Sequence, residues 1–298
     1  MRPPELALDA EAATESAVHG RLIFLLATPG SGAERLLRAL GTLPGAAAMP
    51  VPTHIFERGV HWILEHWEGP RQGGPGLSGL TDVQSVLLET RLLADAPYEA
   101  FLRRTGAERV IEYSPGHISV ADEVAGLYPD ACLVQVVRDG RQVAARLSSP
   151  PNESSPREAA KRWVDDQRLV LSLKHPNLSD LRVEDLLRDP VQLLTAVAPV
   201  LGFAVDEDAI ARAAAAVGIA PAWPAVNTGR AGAVVEIVGA DLLHHFEYEM
   251  NTARLPQRVA AWGDMAISAN VGVGQKVGAA VAERLARRVR KVRGALSR

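Results

Sequence analysis

The sequence predicts an α/β fold in which a central, mostly parallel sheet is flanked by helices and followed by a helical C-terminal region. Three observations support this prediction. Strand-like runs rich in apolar residues lie at 22–27, 109–113 and 131–137. Segments of helical periodicity separate these runs, and strands that alternate with helices form parallel sheets with right-handed crossovers. The apolar character of the runs also suits strands that are buried on both faces.

The predicted elements follow in order along three segments. We expect a loosely ordered leader over residues 1–19, an α/β domain over 20–250, and a C-terminal extension with a basic helix over 251–298. Helices are predicted at 33–40, 57–64, 81–104, 118–127, 140–147, 157–174, 186–202, 207–217 and 237–249. A short strand is predicted at 181–183, and the Pro- and Gly-rich residues 69–76 predict a surface loop.

The composition is that of an ordinary globular protein. With 298 residues, 47% of them hydrophobic, the chain is long enough for one large domain or two small ones. The net charge of −3 gives no reason to expect nucleic-acid binding. The single cysteine, Cys132, excludes an intrachain disulfide framework and a multi-cysteine metal site, and we predict no metal. No signal-peptide core and no run of roughly 18 apolar residues is present, so we expect a cytoplasmic protein without a membrane span.

Residues 28–33, with the sequence TPGSGA, join the first strand to a helix. Such a loop directs backbone N–H groups and the positive end of the helix at one point, where phosphate or sulfate can bind. The loop lacks the Lys and hydroxyl residue of a Walker A motif, and it does not match G-x-G-x-x-G. Taken alone, it is equally consistent with an anion site and with a plain strand–helix turn.

Two charged segments follow later strands. Arg138 ends the third strand, on the side of a parallel sheet where ligands bind, and its guanidinium is suited to a phosphate. The alternative is that Arg138 pairs with Asp139 and caps the next helix. The segment LRVEDLLRDP at 181–190 favours a structural role, in which Asp185 caps a helix and Arg182 bridges to Glu184 or to a neighbouring loop.

Together these segments resemble the bacterial sulfotransferases that use 3′-phosphoadenosine 5′-phosphosulfate (PAPS). The family motifs P-[RK]-S-G-T-T, E-K-[ST]-P, V-R-D-[PG]-R-D-V-A and R-[YV]-E-D-L-x-x-D-P correspond to residues 29–34, 112–115, 137–144 and 182–190. The resemblance covers roughly residues 20–250. It implies a P-loop-like α/β architecture and transfer of a sulfuryl group from PAPS to a hydroxyl of a small-molecule acceptor, such as a specialised metabolite or a sugar.

The resemblance also assigns cofactor-binding residues by position. The loop after the first strand would surround the 5′-phosphosulfate, and Arg138 would bind the 3′-phosphate. Arg146 occupies the position of a family Ser at that phosphate, and Arg230 loosely resembles a later basic loop. The loop residues assigned to PAPS are Pro29, Gly30, Ser31, Gly32 and Ala33.

The family places a Glu or His base in the segment after the first helix, where His54 and Glu57 lie. An imidazole accepts a proton near neutral pH, whereas a carboxylate needs burial to do so. Both residues are candidates for the catalytic base, and the alternative is that both are surface groups at a helix start. For His117, after the second strand, a capping or packing role is predicted.

The loop departs from the family pattern in its charge. Gly30 stands where the family carries Arg or Lys, and Glu34 adds negative charge. Ala33 and Glu34 together replace two hydroxyl residues, and Tyr113 replaces the Lys of the second motif. These differences leave two interpretations open. In one, Arg35 or its neighbour in the next helix turn, Arg38, supplies the missing cation. In the other, the fold is kept without PAPS chemistry, and the protein performs another reaction or acts as a binding partner.

The C-terminal residues 276–298 are strongly basic, with an apolar stripe at four-residue spacing. A basic amphipathic helix can associate with an anionic membrane surface or with a partner, or it can pack on its own domain. The sequence is also consistent with a homodimer.

Overall fold

A parallel sheet of five strands forms the centre of the fold. The computed structural model describes residues 7–9, 14, 16–65, 76–152, 154–218 and 229–249. The strands are β1 Leu22–Leu26, β2 Ala46–Ala48, β3 Arg109–Glu112, β4 Cys132–Val137 and β5 Leu178–Arg182. They lie in the order β2-β3-β1-β4-β5, and each neighbouring pair is parallel. The predicted α/β class with a mostly parallel sheet is therefore confirmed.

Helices connect and flank the strands. They are α1 Ala33–Leu40, α2 His61–Glu65, α3 Val83–Thr105, α4 Ala121–Leu127, α5 Gly140–Leu147, α6 Pro156–Leu171, α7 Val183–Arg188, α8 Pro190–Val200, α9 Glu207–Val217, α10 Gly229–Val238 and α11 Ala240–His245. A π-helical turn, Phe56–Val60, precedes α2, and 3₁₀ turns lie at Leu77–Gly79 and His117–Val120. None of the described helices is both long enough and apolar enough to cross a membrane.

The chain divides into two compact units. One contains residues 1–139 and 162–224, and with them the five strands; the other contains 140–161 and 225–298. In the second unit, α5 packs on α10, and Arg141 forms a buried ion pair with Glu236 at 3.2 Å. The predicted domain boundaries remain predictions. The predicted loop at 69–76, apart from Gly76, and the basic segment 276–298 lie outside the described residues.

Some expected elements differ from the structure. The helix expected at 186–202 is divided into α7 and α8, because Asp189 caps α8 by accepting from Gln192 N at 2.9 Å and Pro190 begins the new helix. The helix expected at 237–249 is replaced by α10, which begins at Gly229, and α11, which ends at His245. The short strand expected at 181–183 is β5, which begins at Leu178. Strand β2 was not predicted.

Parts of the predicted leader contact the domain. Leu8 and Val18 are buried against the core of the first unit, 3% and 0% exposed. Ser16 Oγ donates a hydrogen bond to Asp95 Oδ2 at 2.6 Å. Two apolar side chains and one hydroxyl thus attach parts of this segment to the domain.

Strand β1 separates the two halves of the core. Its side chains alternate between the two faces of the sheet. Leu22, Phe24 and Leu26 join one apolar cluster, whereas Ile23 and Leu25 join the other. All five are at most 2% exposed, so β1 is covered on both faces, as the apolar run predicted.

A buried charge cluster supports the face of the sheet that carries α3. Arg91, 1% exposed, donates to Asp130 Oδ1 at 2.8 Å and to Oδ2 at 3.2 Å. Its Nε lies 3.6 Å from Asp95 Oδ2, and its guanidinium lies over the Tyr128 ring, 4.6 Å from the centroid. One cation therefore compensates two carboxylates that are largely removed from water.

Replacing Arg91 by Met should lower the free energy of unfolding by about 3–5 kcal/mol, because Asp95 and Asp130 are left buried without their cation. The matched control is Arg103→Met on the same helix. Arg103 pairs with Glu99 at 3.1 Å but is 71% exposed, so its loss should be about 0.2–1 kcal/mol. Urea denaturation of both variants tests the difference, and equal losses would contradict it.

Candidate functional site

Three strand ends meet at the carboxyl edge of the sheet in the first unit. The loop at 28–32 follows β1, Ser114 follows β3 and Arg138 follows β4. Because β1 pairs with both β3 and β4, and neighbouring strands lie roughly 4.8 Å apart, these segments start close together. This edge is the usual ligand side of an open α/β sheet.

The loop after β1 depends on two glycines with positive φ. Gly30 has φ 87°, and Gly32, the N-cap of helix α1, has φ 92°. Side-chain-bearing residues rarely adopt this region, whereas glycine does so without steric penalty. Ser31 N donates to Thr28 O at 3.0 Å, which closes the loop into a tight turn before the helix. The helix then directs its N-terminal N–H groups towards the loop.

Two features make this loop fit an anion. Ser31 Oγ is fully buried and has no hydrogen-bond partner among the described residues. Arg138, 8% exposed, donates from Nη1 to Gly30 O at 2.9 Å, which places a guanidinium beside the loop. An unsatisfied hydroxyl, a helix N-terminus and a buried cation together suit phosphate or sulfate.

A buried polar chain behind the loop was not found from the sequence. Thr28 Oγ1 accepts from Gln167 Nε2 at 3.1 Å, and Gln167 Oε1 accepts from Gln135 Nε2 at 2.8 Å. Each of these side chains is at most 1% exposed. The one indication of this chain in the sequence is Gln135, a polar residue within the otherwise apolar strand β4. The chain fixes Thr28 where the loop leaves β1.

The third and fourth motifs contact one another. Glu184 Oε1 accepts a hydrogen bond from Asp139 N at 3.0 Å. Arg182 Nε lies 3.9 Å from Asp185 Oδ2, so Arg182 bridges to Asp185. The segment after β5 thus supports the backbone next to Arg138, which agrees with its predicted structural role. The predicted cap was wrong, because Asp185 lies within α7 and the capping side chain is Asp189, at the start of α8.

The other arginines that the resemblance suggested for the PAPS site lie on helices α1, α5 and α10. Arg35 donates from Nη1 to Val217 O at 2.9 Å, at the end of α9, and Arg38 is exposed in the last turn of α1, away from the loop. In the second unit, Arg146 is exposed and donates to Pro150 O at 3.2 Å, and Arg230 is exposed at the start of α10. Their assigned roles in PAPS binding remain predictions.

The two candidate bases contact each other directly. His54 Nδ1 lies 2.5 Å from Glu57 Oε1, and the exposed fractions of the side chains are 33% and 16%. On the other side of the carboxylate, His117 Nε2 lies 3.5 Å from Glu57 Oε2. His117 is fully buried, and burial lowers its pKa to about 4 against the opposing effect of Glu57. The predicted packing role of His117 therefore includes a contact with a candidate base.

Glu112 holds the segment that carries His54. Its Oε1 accepts hydrogen bonds from Thr53 N at 3.2 Å, from Thr53 Oγ1 at 3.0 Å and from Ser114 Oγ at 2.7 Å. His54 N in turn donates to Ser114 Oγ at 3.2 Å. His54 has φ 54°, a left-handed conformation that is unfavourable for a residue with a side chain and is common at functional sites. The Glu of the second motif is thus the anchor of this backbone, and burial raises the pKa of its carboxyl.

Comparison with known sequences identifies relatives. The sequence model of the Sulfotransferase family matches residues 23–207, more than half of the chain, and this range includes all four motif segments. The nodulation protein NoeE of Sinorhizobium fredii is 26% identical over 133 residues. That match covers 43% of this chain and 31% of NoeE, so the matched part spans about a third of the curated relative.

Solved structures show the same fold. Sulfotransferase STF9 from Mycobacterium avium superposes with a TM-score of 0.52 at 13% identity, covering 81% of this chain and 80% of that one. The sulfotransferase domain from the curacin biosynthetic pathway superposes with a TM-score of 0.50 at 14% identity, covering 79% of this chain and 100% of that domain. At these identities, the similarity concerns the architecture.

Restoring the motif's cation by Gly30→Lys should destabilise the protein by about 1–2 kcal/mol, because a Cβ is unfavourable at a left-handed φ. The control is Gly59→Lys, since a Cβ at Gly59 meets no atom within 4 Å and Gly59 has no positive φ. Chemical denaturation should show a loss for Gly30→Lys and none for Gly59→Lys. A Gly30→Lys variant as stable as the parent would contradict the argument.

Proposed function

The chain belongs to the sulfotransferase family of transferase enzymes, and on that premise we propose that it moves a sulfuryl group from PAPS to a hydroxyl of a small-molecule acceptor, a specialised metabolite or a sugar. The observation that carries the proposal is the loop after β1. Its unsatisfied Ser31 hydroxyl, the N-terminus of α1 and the Arg138 guanidinium provide the donors that an anionic donor substrate requires.

In the proposed complex, the loop binds the 5′-phosphosulfate and Arg138 binds the 3′-phosphate. The bond from Arg138 Nη1 to Gly30 O supports this assignment, because it holds the guanidinium at the loop. An Arg can present two parallel donors to a phosphate, which a point charge cannot.

We assign the base role to His54, with Glu57 as its orienting partner. His54 is the more exposed of the two, and its Nδ1 faces the carboxylate of Glu57 at 2.5 Å. When Nδ1–H donates to Glu57, Nε2 is unprotonated and can accept a proton from an acceptor hydroxyl. This is the arrangement by which a carboxylate orients a catalytic imidazole.

The proposed transfer is a single displacement. The acceptor oxygen forms a bond to sulfur while the bond between sulfur and the bridging phosphate oxygen breaks. The hydroxyl proton passes to His54 Nε2, and 3′-phosphoadenosine 5′-phosphate (PAP) leaves. The protein contributes in-line placement and donors for the transferring charge.

A second candidate, a sulfotransferase-fold protein without PAPS chemistry, is favoured by the charge at the loop. Gly30 carries no cation, Arg35 is bonded to Val217 O, and Glu34 is exposed in the first turn of α1. Binding and turnover measurements separate the two candidates.

PAP should bind with micromolar affinity in calorimetric titration. Adenosine 5′-phosphate, which lacks the 3′-phosphate, should bind about tenfold more weakly or worse, because it loses a charge-assisted contact to Arg138. Arg138→Ala should weaken PAP and leave adenosine 5′-phosphate nearly unchanged. Absence of PAP binding at millimolar concentration would refute PAPS use and favour the second candidate.

His54→Ala should reduce the rate of sulfuryl transfer by about 10²–10⁴-fold without changing PAP affinity, because a general base is lost while the donor site is intact. The rate is measured with radiolabelled PAPS and a panel of hydroxylated small molecules. The matched control is His61→Ala, since His61 Nδ1 lies 2.5 Å from Glu123 Oε1 in an equivalent pair. Equal rates for the two variants would exclude His54 as the base.

A further inference from the structure

We propose that His117 is a positioning residue that fixes the Glu57 carboxylate by donating from Nε2–H to Oε2. His54, Glu57 and His117 then form a continuous line from the accessible side of the site into the core. The kinetic consequence of this bond rests on the proposed function, whereas the bond itself does not.

The geometry carries the proposal. Neither ring nitrogen of His117 has a hydrogen-bond partner among the described residues, and Glu57 Oε2 has none either. Nε2 and Oε2 face each other at 3.5 Å. A buried donor and a buried acceptor without other partners are each unfavourable, so a small approach satisfies both.

Aromatic packing limits where the ring of His117 can go. Phe56 contacts it edge to face, with centroids 4.9 Å apart and planes at 88°. Phe24 contacts it in a similar way at 6.1 Å. The ring is therefore held in one orientation, with Nε2 towards Glu57 and no exposed surface.

Proton placement follows from the same contacts. Burial lowers the pKa of His117 to about 4, and the groups that face it are Glu57, which raises the pKa, and His54, which lowers it. The ring is thus neutral at pH 7 and carries one N–H. The Nδ1–H tautomer would bury a donor without an acceptor and direct the Nε2 lone pair at a carboxylate. The Nε2–H tautomer avoids both.

The result for Glu57 is that both oxygens are engaged. Oε1 faces His54 and Oε2 faces His117. Gly116 allows the close approach, because a Cβ at that position would lie 2.5 Å from Glu57 Oε1. A carboxylate held at both oxygens cannot rotate away from His54, so the imidazole keeps one orientation and one tautomer.

A matched pair of variants tests the kinetic role. His117→Phe keeps the aromatic packing on Phe24 and Phe56 but removes the donor, and should lower kcat by about tenfold or more with little change in the KM for PAPS. His117→Gln keeps a donor near Nε2 and should retain kcat within about threefold. Wild-type kcat in His117→Phe, or no retention in a folded His117→Gln, would overturn the positioning role.

The second measurement needs no turnover. In long-range ¹H–¹⁵N NMR spectra of the full chain, assigned with His117→Gln or His117→Phe, the ring should be the Nε2–H tautomer and should not titrate between about pH 5.5 and 8.5. Glu57→Gln should shift the Nε2 resonance. An Nδ1–H tautomer, titration in that range, or no shift would overturn the bond even if either His117 variant fails to fold. A correct spectrum without any sulfuryl transfer would refute only the proposed function.

Discussion

The central position of β1 is the constraint on which the rest of the structure depends. Its five residues are buried on both faces, and it pairs with β3 on one side and β4 on the other. Because the three strands are parallel, the anion loop, the Glu112–Ser114 segment and Arg138 emerge at one edge. The apolar burial of a short strand therefore determines which polar residues can act together.

Within that edge, each carboxylate performs a task that its surroundings permit. Glu112, 1% exposed, uses one oxygen to hold three donors and thereby stabilises the left-handed backbone of His54. Glu57 is less buried and lies between two imidazoles instead. The first carboxylate is suited to backbone support and the second to orienting a ring that can carry a proton. The same functional group thus has two roles that differ in burial and partners.

Local patterns in the sequence predicted local structure well. The strands β1, β3 and β4 and the helix Gly140–Leu147 were predicted because apolar periodicity is determined by neighbours along the chain. Contacts over long separations were not predicted. Arg35 reaches Val217, 182 residues away, and His117 reaches Glu57; neither contact has a periodic signature. Strand β2, Ala46–Ala48, was missed because three alanines carry no strand preference. The segments of the candidate site could therefore be predicted from local patterns, whereas the contacts within the site arise from tertiary packing that no local pattern encodes.

The positive φ of Gly30 has a consequence for where the charge at the loop comes from. A lysine or arginine at this position either has a Cβ at an unfavourable positive φ or requires a change of backbone conformation at the residue whose carbonyl oxygen accepts from Arg138. The turn and a cation on residue 30 are thus difficult to combine. A cation is added to such a turn more readily from another element, as Arg138 is at the end of β4, than on the turn itself.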